Sequence, residues 1–295
     1  MAQSVGTVAE LWRFPVKSMA GERLEAAELT TGGIVGDRAY ALIDVETRNV
    51  VSAKSVRLFP GILNCRARFA EPPKAGRPAP PVRIELPNGQ AATSEGGEAE
   101  KALSALFGRA VRLASSAPED FTIDEQVADV EGADPEGRRG QTLQQKVGAA
   151  FFAQAGVRSP VAATAFFDLF PLSVITRATL RRLQSLQPQS RFDVRRFRMN
   201  VVVETPDEGF VENDWLGQPL SIGAAAAARI AIPDPRCVMT TLPQDDLGQD
   251  TGILSALVEH NRMQVGEGRL YPCAGVYAVV TASGEIRVGD AVGLG

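Results

Sequence analysis

The 295-residue sequence predicts an α+β, predominantly β fold: short β-rich segments crowd its first third, strands return in its last third, and helical periodicity is confined to brief stretches. Strands are expected over 7–14, 23–29, 38–44, 62–69 and 82–86, where partial alternation or β-branched and aromatic residues are bounded by Gly, Pro, Asn or Asp. Such spacing implies a barrel or sandwich. Residues 44–49 and Pro87-Asn88-Gly89 fit hairpin turns, the second because Asn-Gly tolerates positive φ. A Pro-rich surface loop follows at 71–81, then a short helix at 98–106 carrying Leu103 and Leu106, then a strand at 110–113. From 115 to 140 the chain turns acidic with weak periodicity, which marks a connector. The expected organisation is a β-barrel-like domain at 1–115, a connector at 116–145 and a second domain at 146–295. In that second domain a helix is expected at 180–186, strands at 197–204 and 228–232, and a helix at 251–262. A terminal hairpin joins 275–281 to 285–288 through Ser283-Gly284.

Composition narrows the function. Hydrophobic residues are 44% and charged residues 22%, a globular balance, and a formal charge of -4 provides no footprint for nucleic acid or an anionic membrane. The start, Met1 to Val16, is interrupted by Glu10, Arg13 and Pro15 and lacks a signal-peptide core, and no apolar run approaches bilayer length, so a cytoplasmic protein is expected. The 3 cysteines are too few and too scattered for a disulfide framework or a four-thiolate metal site. The single histidine, His260, falls at the polar end of a helical stripe, which argues against histidine-centred catalysis.

Three clusters carry candidate chemistry. In Ile232-Pro-Asp-Pro-Arg-Cys-Val-Met-Thr-Thr-Leu242 a strand meets a Pro-rich turn, and Arg236 stands beside Cys237. An adjacent guanidinium favours thiolate over thiol, the state that binds a soft metal or attacks an electrophile. Cys65 alternates along a strand and Cys273 has no charged partner in sequence, so both are expected to pack inertly. In Arg195-Arg-Phe-Arg-Met-Asn200, Arg196, Arg198 and Asn200 are expected on one face of an incoming strand, where they suit an anion such as phosphate or else a solvated basic edge. Lys17 and Ser18, in a Gly-ended turn after a strand, form a weaker phosphate-type pair.

Taken in order, Phe14-Pro-Val-Lys-Ser-Met-Ala-Gly21, Gly36-Asp-Arg-Ala-Tyr-Ala-Leu-Ile-Asp44, Pro171-Leu-Ser-Val-Ile-Thr-Arg-Ala-Thr-Leu180, Arg196-Phe-Arg-Met-Asn-Val-Val202, Pro235-Arg-Cys-Val-Met-Thr-Thr241 and Ile286-Arg-Val-Gly-Asp290 resemble the MOSC-domain proteins. Within that family the chain is similar to YcbX-type proteins and amidoxime reducing components. The resemblance implies a MOSC-type β-barrel with flanking helices beside an N-terminal β-barrel-like domain. It implies a molybdenum cofactor (Mo-molybdopterin) whose metal is held by a pterin dithiolene and by Cys237. By the same carry-over, Lys17, Ser18, Arg38, Thr176, Arg198, Asn200 and Arg236 would bind the pterin and its phosphate, and Cys237 and Arg236 would be the catalytic pair. Thr176 is followed by Arg177, where relatives carry other residues, so Arg177 is expected to add a phosphate contact or reshape access. Met199 replaces a frequent Pro.

The activity implied is reductive N–O cleavage of N-hydroxylated compounds. Because the chain ends at Gly295 without a cysteine cluster, electrons are expected from a separate flavin or iron–sulfur protein, the chain itself being a monomer. The alternative is a molybdenum-cofactor carrier or sulfur-transfer module. Pyridoxal-phosphate chemistry is disfavoured because the lysines, Lys17, Lys54, Lys74, Lys101 and Lys146, all lie in the first half, and a thiol hydrolase lacks a histidine base. A basic cleft is expected with Cys237 at its floor and Lys17, Arg38, Arg198 and Arg236 around it.

Overall fold

The computed structural model describes residues 3–266 and 268–295. It is mostly β, with four helices: α1 (Glu98–Phe107), α2 (Gly148–Gln154), α3 (Arg177–Leu186) and α4 (Gly252–His260). Its centre is a closed seven-stranded barrel made of β1 (Gln3–Arg13), β2 (Leu172–Thr176), β3 (Val201–Glu204), β4 (Pro219–Ile222), β5 (Ala226–Pro235), β6 (Leu270–Ala282) and β7 (Ala291–Leu294). The order is β2-β3-β1-β7-β4-β5-β6, and the pairing Leu172↔Ala278 closes it. One strand comes from the opposite end of the chain: β1 pairs with β3 (Leu11↔Val201) and with β7 (Gly6↔Val292). Strands β2 and β3 run parallel, which requires a crossover, and α3 supplies it.

Packing follows the residue types. Val8, Leu11, Val174, Val201, Val203, Ile230 and Val276 fill the barrel, branched side chains suited to a pleated wall. A second core joins Val16, Leu42, Ile84 and Leu103 of the first half to Leu183 of α3 and Leu254 and Leu257 of α4. The halves therefore share buried surface. Outside the barrel, Arg66–Phe69, Val82–Glu85 and Ala91–Thr93 form a three-stranded sheet whose second turn is the expected Asn88-Gly89 hairpin, with Gly89 at φ +82°. Ala41–Asp44 pairs with Val111–Ala114.

Three expectations are corrected. The strand expected at 197–204 begins only at Val201; Val194–Arg196 is a 3-10 turn and Arg198 has φ +54°, so Arg196, Arg198 and Asn200 do not share a strand face. Gly284–Arg287 does not form a hairpin with β6: it pairs with Ala26–Thr30. Ile286 is thereby buried with Ala27 and Leu29, apolar contacts made by a segment distant in sequence. The connector is structured as well. Thr122–Gln126 pairs with Thr142–Lys146, α2 follows, and Phe121, Ile123, Val147 and Phe166 make a small core beneath them. Its strands read as linker because Thr122–Gln126 carries one apolar residue, Ile123, and Thr142–Lys146 only Leu143.

Candidate active site

The loop after β1, the loop before β3 and the turn after β5 converge. Trp12 N donates to Asn200 O (2.8 Å), Arg198 Nη1 to Met19 O (2.7 Å) and Arg236 Nη1 to Phe197 O (2.9 Å). Lys17 N donates to Tyr40 O (2.8 Å) and Arg38 N to Phe14 O (2.7 Å), which lays two N-terminal loops side by side. The result is a small basic pocket lined by Lys17, Ser18, Arg38, Arg198 and Asn200. Next to it lies a cavity of about 370 Å³ that contains Arg236 and Cys237. Asp168, Met239 and Tyr277 line both. The single cleft expected from sequence is thus two adjoining spaces with a common wall.

Backbone strain is concentrated here. Of the non-glycine residues with left-handed backbone among those described, Ser18 (φ 67°), Arg38 (φ 49°) and Arg198 (φ 54°) all line the basic pocket. Such conformations cost roughly 1 kcal/mol or more each and persist where surrounding bonds over-determine them. Asp37 supplies many of those bonds. Its buried carboxylate accepts from Phe14 N (2.7 Å) and Asn200 Nδ2 (2.8 Å) and pairs with Arg38. Asn200 Oδ1 in turn accepts from Ser173 N and Oγ, and Ser18 Oγ accepts from Ala53 N (2.9 Å).

The cations differ in how far they are neutralised. Lys17 meets Asp168, Phe166 O (3.3 Å) and the face of Phe121. Burial lowers its pKa even with Asp168 beside it. Asp168 also accepts from Lys54 (3.3 Å), and although its own burial acts in the other direction, the two ammoniums hold its carboxyl below the usual carboxylate range. Arg198 is another matter. Only 7% exposed, its guanidinium donates one hydrogen bond, to Met19 O, lies 4.2 Å over the Phe14 ring and pairs with no carboxylate among the described residues. Burial, then repulsion from Arg38, push its pKa down. A desolvated cation of this kind is stabilised by an incoming anion.

Around Cys237 the structure corrects the sequence argument. Arg236 turns away from the thiol: Nε donates to Ala274 O (2.9 Å), Nη1 to Phe197 O, and Nη2 pairs with Asp234 (2.7 Å). It braces the turn that carries Cys237. The thiol is pushed up to about 11, chiefly by burial, and the cation that opposes this shift is Lys54. Lys54 is itself held well above its ordinary pKa, because Glu125 (3.2 Å) and Asp168 outweigh burial. Arg196 secures the other side of the turn, donating to Thr240 O, Leu242 O and Gly248 O. Gly275 lets the strands meet behind it, since a Cβ there would lie 2.7 Å from the backbone oxygen of Val174.

Two candidates lie elsewhere. Thr176 lines neither space; fully buried, it caps α3 by accepting from Thr179 N (3.1 Å) and donates to Glu212 Oε2 (2.6 Å). Its extended backbone at the start of a helix makes capping its local role. Arg177 pairs with Glu10 (3.0 Å) and Glu204 (3.3 Å) and reaches neither space. Cys65 and Cys273 are buried, with thiols pushed up to about 12 by burial, as inert packing requires. Sequence reading missed Asp37, Lys54, Asp168 and Tyr277. Asp168 had a signal, a lone acid in Phe166-Phe167-Asp168-Leu169-Phe170, whereas Tyr277 reads as one more residue of an apolar strand.

Residues 163–293 match the MOSC domain, and residues 5–76 match the MOSC N-terminal beta barrel domain. The chain belongs to the MOSC-domain family. This MOSC protein is 26% identical to mitochondrial amidoxime-reducing component 1 of Homo sapiens, over 99% of its length and 84% of the relative's. It is 27% identical to mitochondrial amidoxime reducing component 2 of Homo sapiens, over 98% and 84%. The solved structure of the YUAD protein from Bacillus subtilis aligns over 100% of this MOSC protein and 98% of that chain, at 12% identity and a TM-score of 0.44. Among the described residues, no helix is long and apolar enough to cross a membrane.

Proposed function

We propose that the chain binds a molybdenum cofactor, its phosphate in the basic pocket and its metal on Cys237, and reduces N-hydroxylated compounds by cleaving the N–O bond. The observation that carries this reading is Arg198, a buried guanidinium without a carboxylate partner, in a pocket adjoining the cavity of Cys237. The donor set fits the group. Lys17, Arg38, Arg198 and the Ser18 hydroxyl suit a phosphate, and a thiol suits a soft metal. Among the described residues no three His, Cys, Asp or Glu gather as a metal cage, which suits a group that brings its own donors.

When bound, the cofactor supplies two-electron oxygen-transfer chemistry. The net change is R–NH–OH + 2e⁻ + 2H⁺ → R–NH₂ + H₂O, with electrons from a separate flavin or iron–sulfur protein. The chain's residues anchor and orient. Cys237 holds the metal, Arg236 and Arg196 fix its turn, and Asn200 with Asp37 fixes the loops that present Arg38 and Arg198. Tyr277, whose burial keeps its phenol protonated, stands in the common wall with the Asp234 carboxylate as its hydrogen-bonding neighbour. The one histidine, His260, ends α4 and lines neither space.

The test is molybdenum and pterin content of protein made in a cofactor-competent host, then turnover of an amidoxime with a reduced dye as donor. Near-stoichiometric metal and amidine formation are expected. Protein without molybdenum overturns the reading, and metal with no turnover of any N-hydroxylated compound moves it to a cofactor carrier or sulfur-transfer module.

A further inference from the structure

Among the described residues, three buried side-chain atoms lack a hydrogen-bond partner: Glu212 Oε1, Asp234 Oδ1 and Gln244 Nε2. Of these residues only Asp234 lines the cavity of Cys237. Local sequence puts it there. Pro233 and Pro235 flank the acid, neither has an N–H to give a ladder, and the register of β5 against β6 shifts between them. Irregularities of this kind re-aim a side chain beside a site. Tyr277 of β6 pairs with Ile232, two residues before Asp234 on β5.

Asp234 is 2% exposed, and its two oxygens are treated unequally. Oδ2 pairs with Arg236 (2.7 Å), whose other bonds go to Ala274 O and Phe197 O. Oδ1 has no partner. A buried carboxylate oxygen left bare favours the protonated form. Burial accordingly pushes the Asp234 carboxyl up to about 6, although Arg236 and the Tyr277 phenol oppose the shift. Arg38 and Asp168 also act on it, and the Cys273 thiol lies within its field. The Tyr277 ring is held by stacking on Phe170 (5.4 Å, 24°), and Tyr277 lines both spaces. Its hydroxyl keeps one freedom, rotation about the C–O bond. Beside ionised Asp234 it donates to the carboxylate; beside protonated Asp234 it accepts from the carboxyl and can donate into the cavity.

We infer that Asp234 and Tyr277 are a proton-delivery pair for this cavity: Asp234 holds a proton, and the Tyr277 hydroxyl passes its own to an oxygen bound there and takes that of Asp234. The inference deepens the proposed reaction and rests on it only for the identity of that oxygen. In R–NH–OH + 2e⁻ + 2H⁺ → R–NH₂ + H₂O, the N–O bond breaks as two electrons arrive from the separate donor protein. The leaving oxygen takes the Tyr277 proton, Tyr277 takes that of Asp234, and solvent returns one to Asp234 and gives the second to nitrogen.

The experiment uses the full-length protein and two variants. Asp234→Asn keeps the shape and an acceptor for Arg236 but holds no proton it can pass on; Tyr277→Phe keeps the ring on Phe170 and loses only the hydroxyl. Infrared titration, which needs neither metal nor turnover, is expected to show a buried carboxyl C=O band that grows as pH falls through about 6. The band should be missing in Asp234→Asn and displaced in Tyr277→Phe. With benzamidoxime and a reduced dye, wild-type kcat per bound molybdenum is expected to fall as pH rises through the same range. Each variant should lose about 100-fold in kcat with KM within about 2-fold, and Asp234→Asn should lose that pH limb. Tyr277→Phe carries the kinetic test should Asp234→Asn fail to fold. No such band in the wild type, a band that Asp234→Asn leaves in place, or wild-type kcat and pH profile in a loaded variant overturns the inference. A wild type that shows the band, displaced in Tyr277→Phe, but turns over no N-hydroxylated compound overturns the proposed reaction and leaves the proton-holding pair supported.

Discussion

The basic pocket and the cavity beside it share Asp168, Met239 and Tyr277, yet they are built in opposite ways. The pocket is made of left-handed backbone at Ser18, Arg38 and Arg198, pinned by the buried Asp37–Asn200–Ser173 network, and retains one buried cation with no carboxylate. One wall of the cavity is the outlying hairpin, which contributes Leu143 and Glu125, the latter paired with Lys54. A strained, over-determined pocket has one geometry and suits one ligand. A hairpin wall is free of such strain, and its side chains can change without disturbing the fold.

The largest break in that contrast is expected from Arg198→Gln. If the unpaired guanidinium is the anion's seat, molybdenum and pterin content should fall about 10-fold or more on elemental and pterin analysis. Asp37→Ala comes next. It strips the partner from Arg38 and Asn200 in a buried network, so a loss of about 3–5 kcal/mol in denaturant unfolding is expected, with cofactor content falling too.

Thr176→Ala separates capping from binding. It should cost about 1–2 kcal/mol through the lost α3 cap and leave cofactor content unchanged, because Thr176 lies outside both spaces. Its partner Glu212 adds a pH dependence. Burial raises the Glu212 pKa despite hydrogen bonds from Thr176 and Thr179. The folded state therefore keeps a proton that the unfolded state releases above the ordinary glutamate range, and stability falls as pH rises from that range through the raised value. In Glu212→Gln this component of the slope should vanish when urea midpoints are compared across pH. The smallest effect is expected from Arg177→Ala, which removes partly exposed pairs to Glu10 and Glu204: about 0.5 kcal/mol in urea and no change in bound cofactor.

Much of the fold was legible because it is local. The β-branched runs at 201–203, the Asn88-Gly89 turn and the stripe of Leu254 and Leu257 each announce their element within a few residues. The hairpin at 122–146 was not, because Ile123 and Leu143 are too few to signal strands, and Ile123 is buried by Phe121 and Phe166 from outside the hairpin. Among site residues, Lys17, Ser18, Arg38, Arg198 and Asn200 were read from ordered motifs and do gather in one pocket. Thr176 and Arg177, taken from the same kind of motif, do not, since position along a strand and helix start does not reveal which partner a hydroxyl or guanidinium meets.

By itself, then, the sequence determined the predominance of β-structure, the family, and the residue types that could hold an anion and a soft metal, all of which depend on local pattern and order. Only tertiary structure decided that β1 completes a barrel with strands of the far end of the chain, and that Arg236 braces the Cys237 turn while Lys54 lines the same cavity as the thiol. Tertiary structure also left Arg198, of all the basic side chains at the pocket, without a counter-charge. The reason is physical: burial and charge pairing are set by groups far apart along the chain, and no local pattern records which of them will meet.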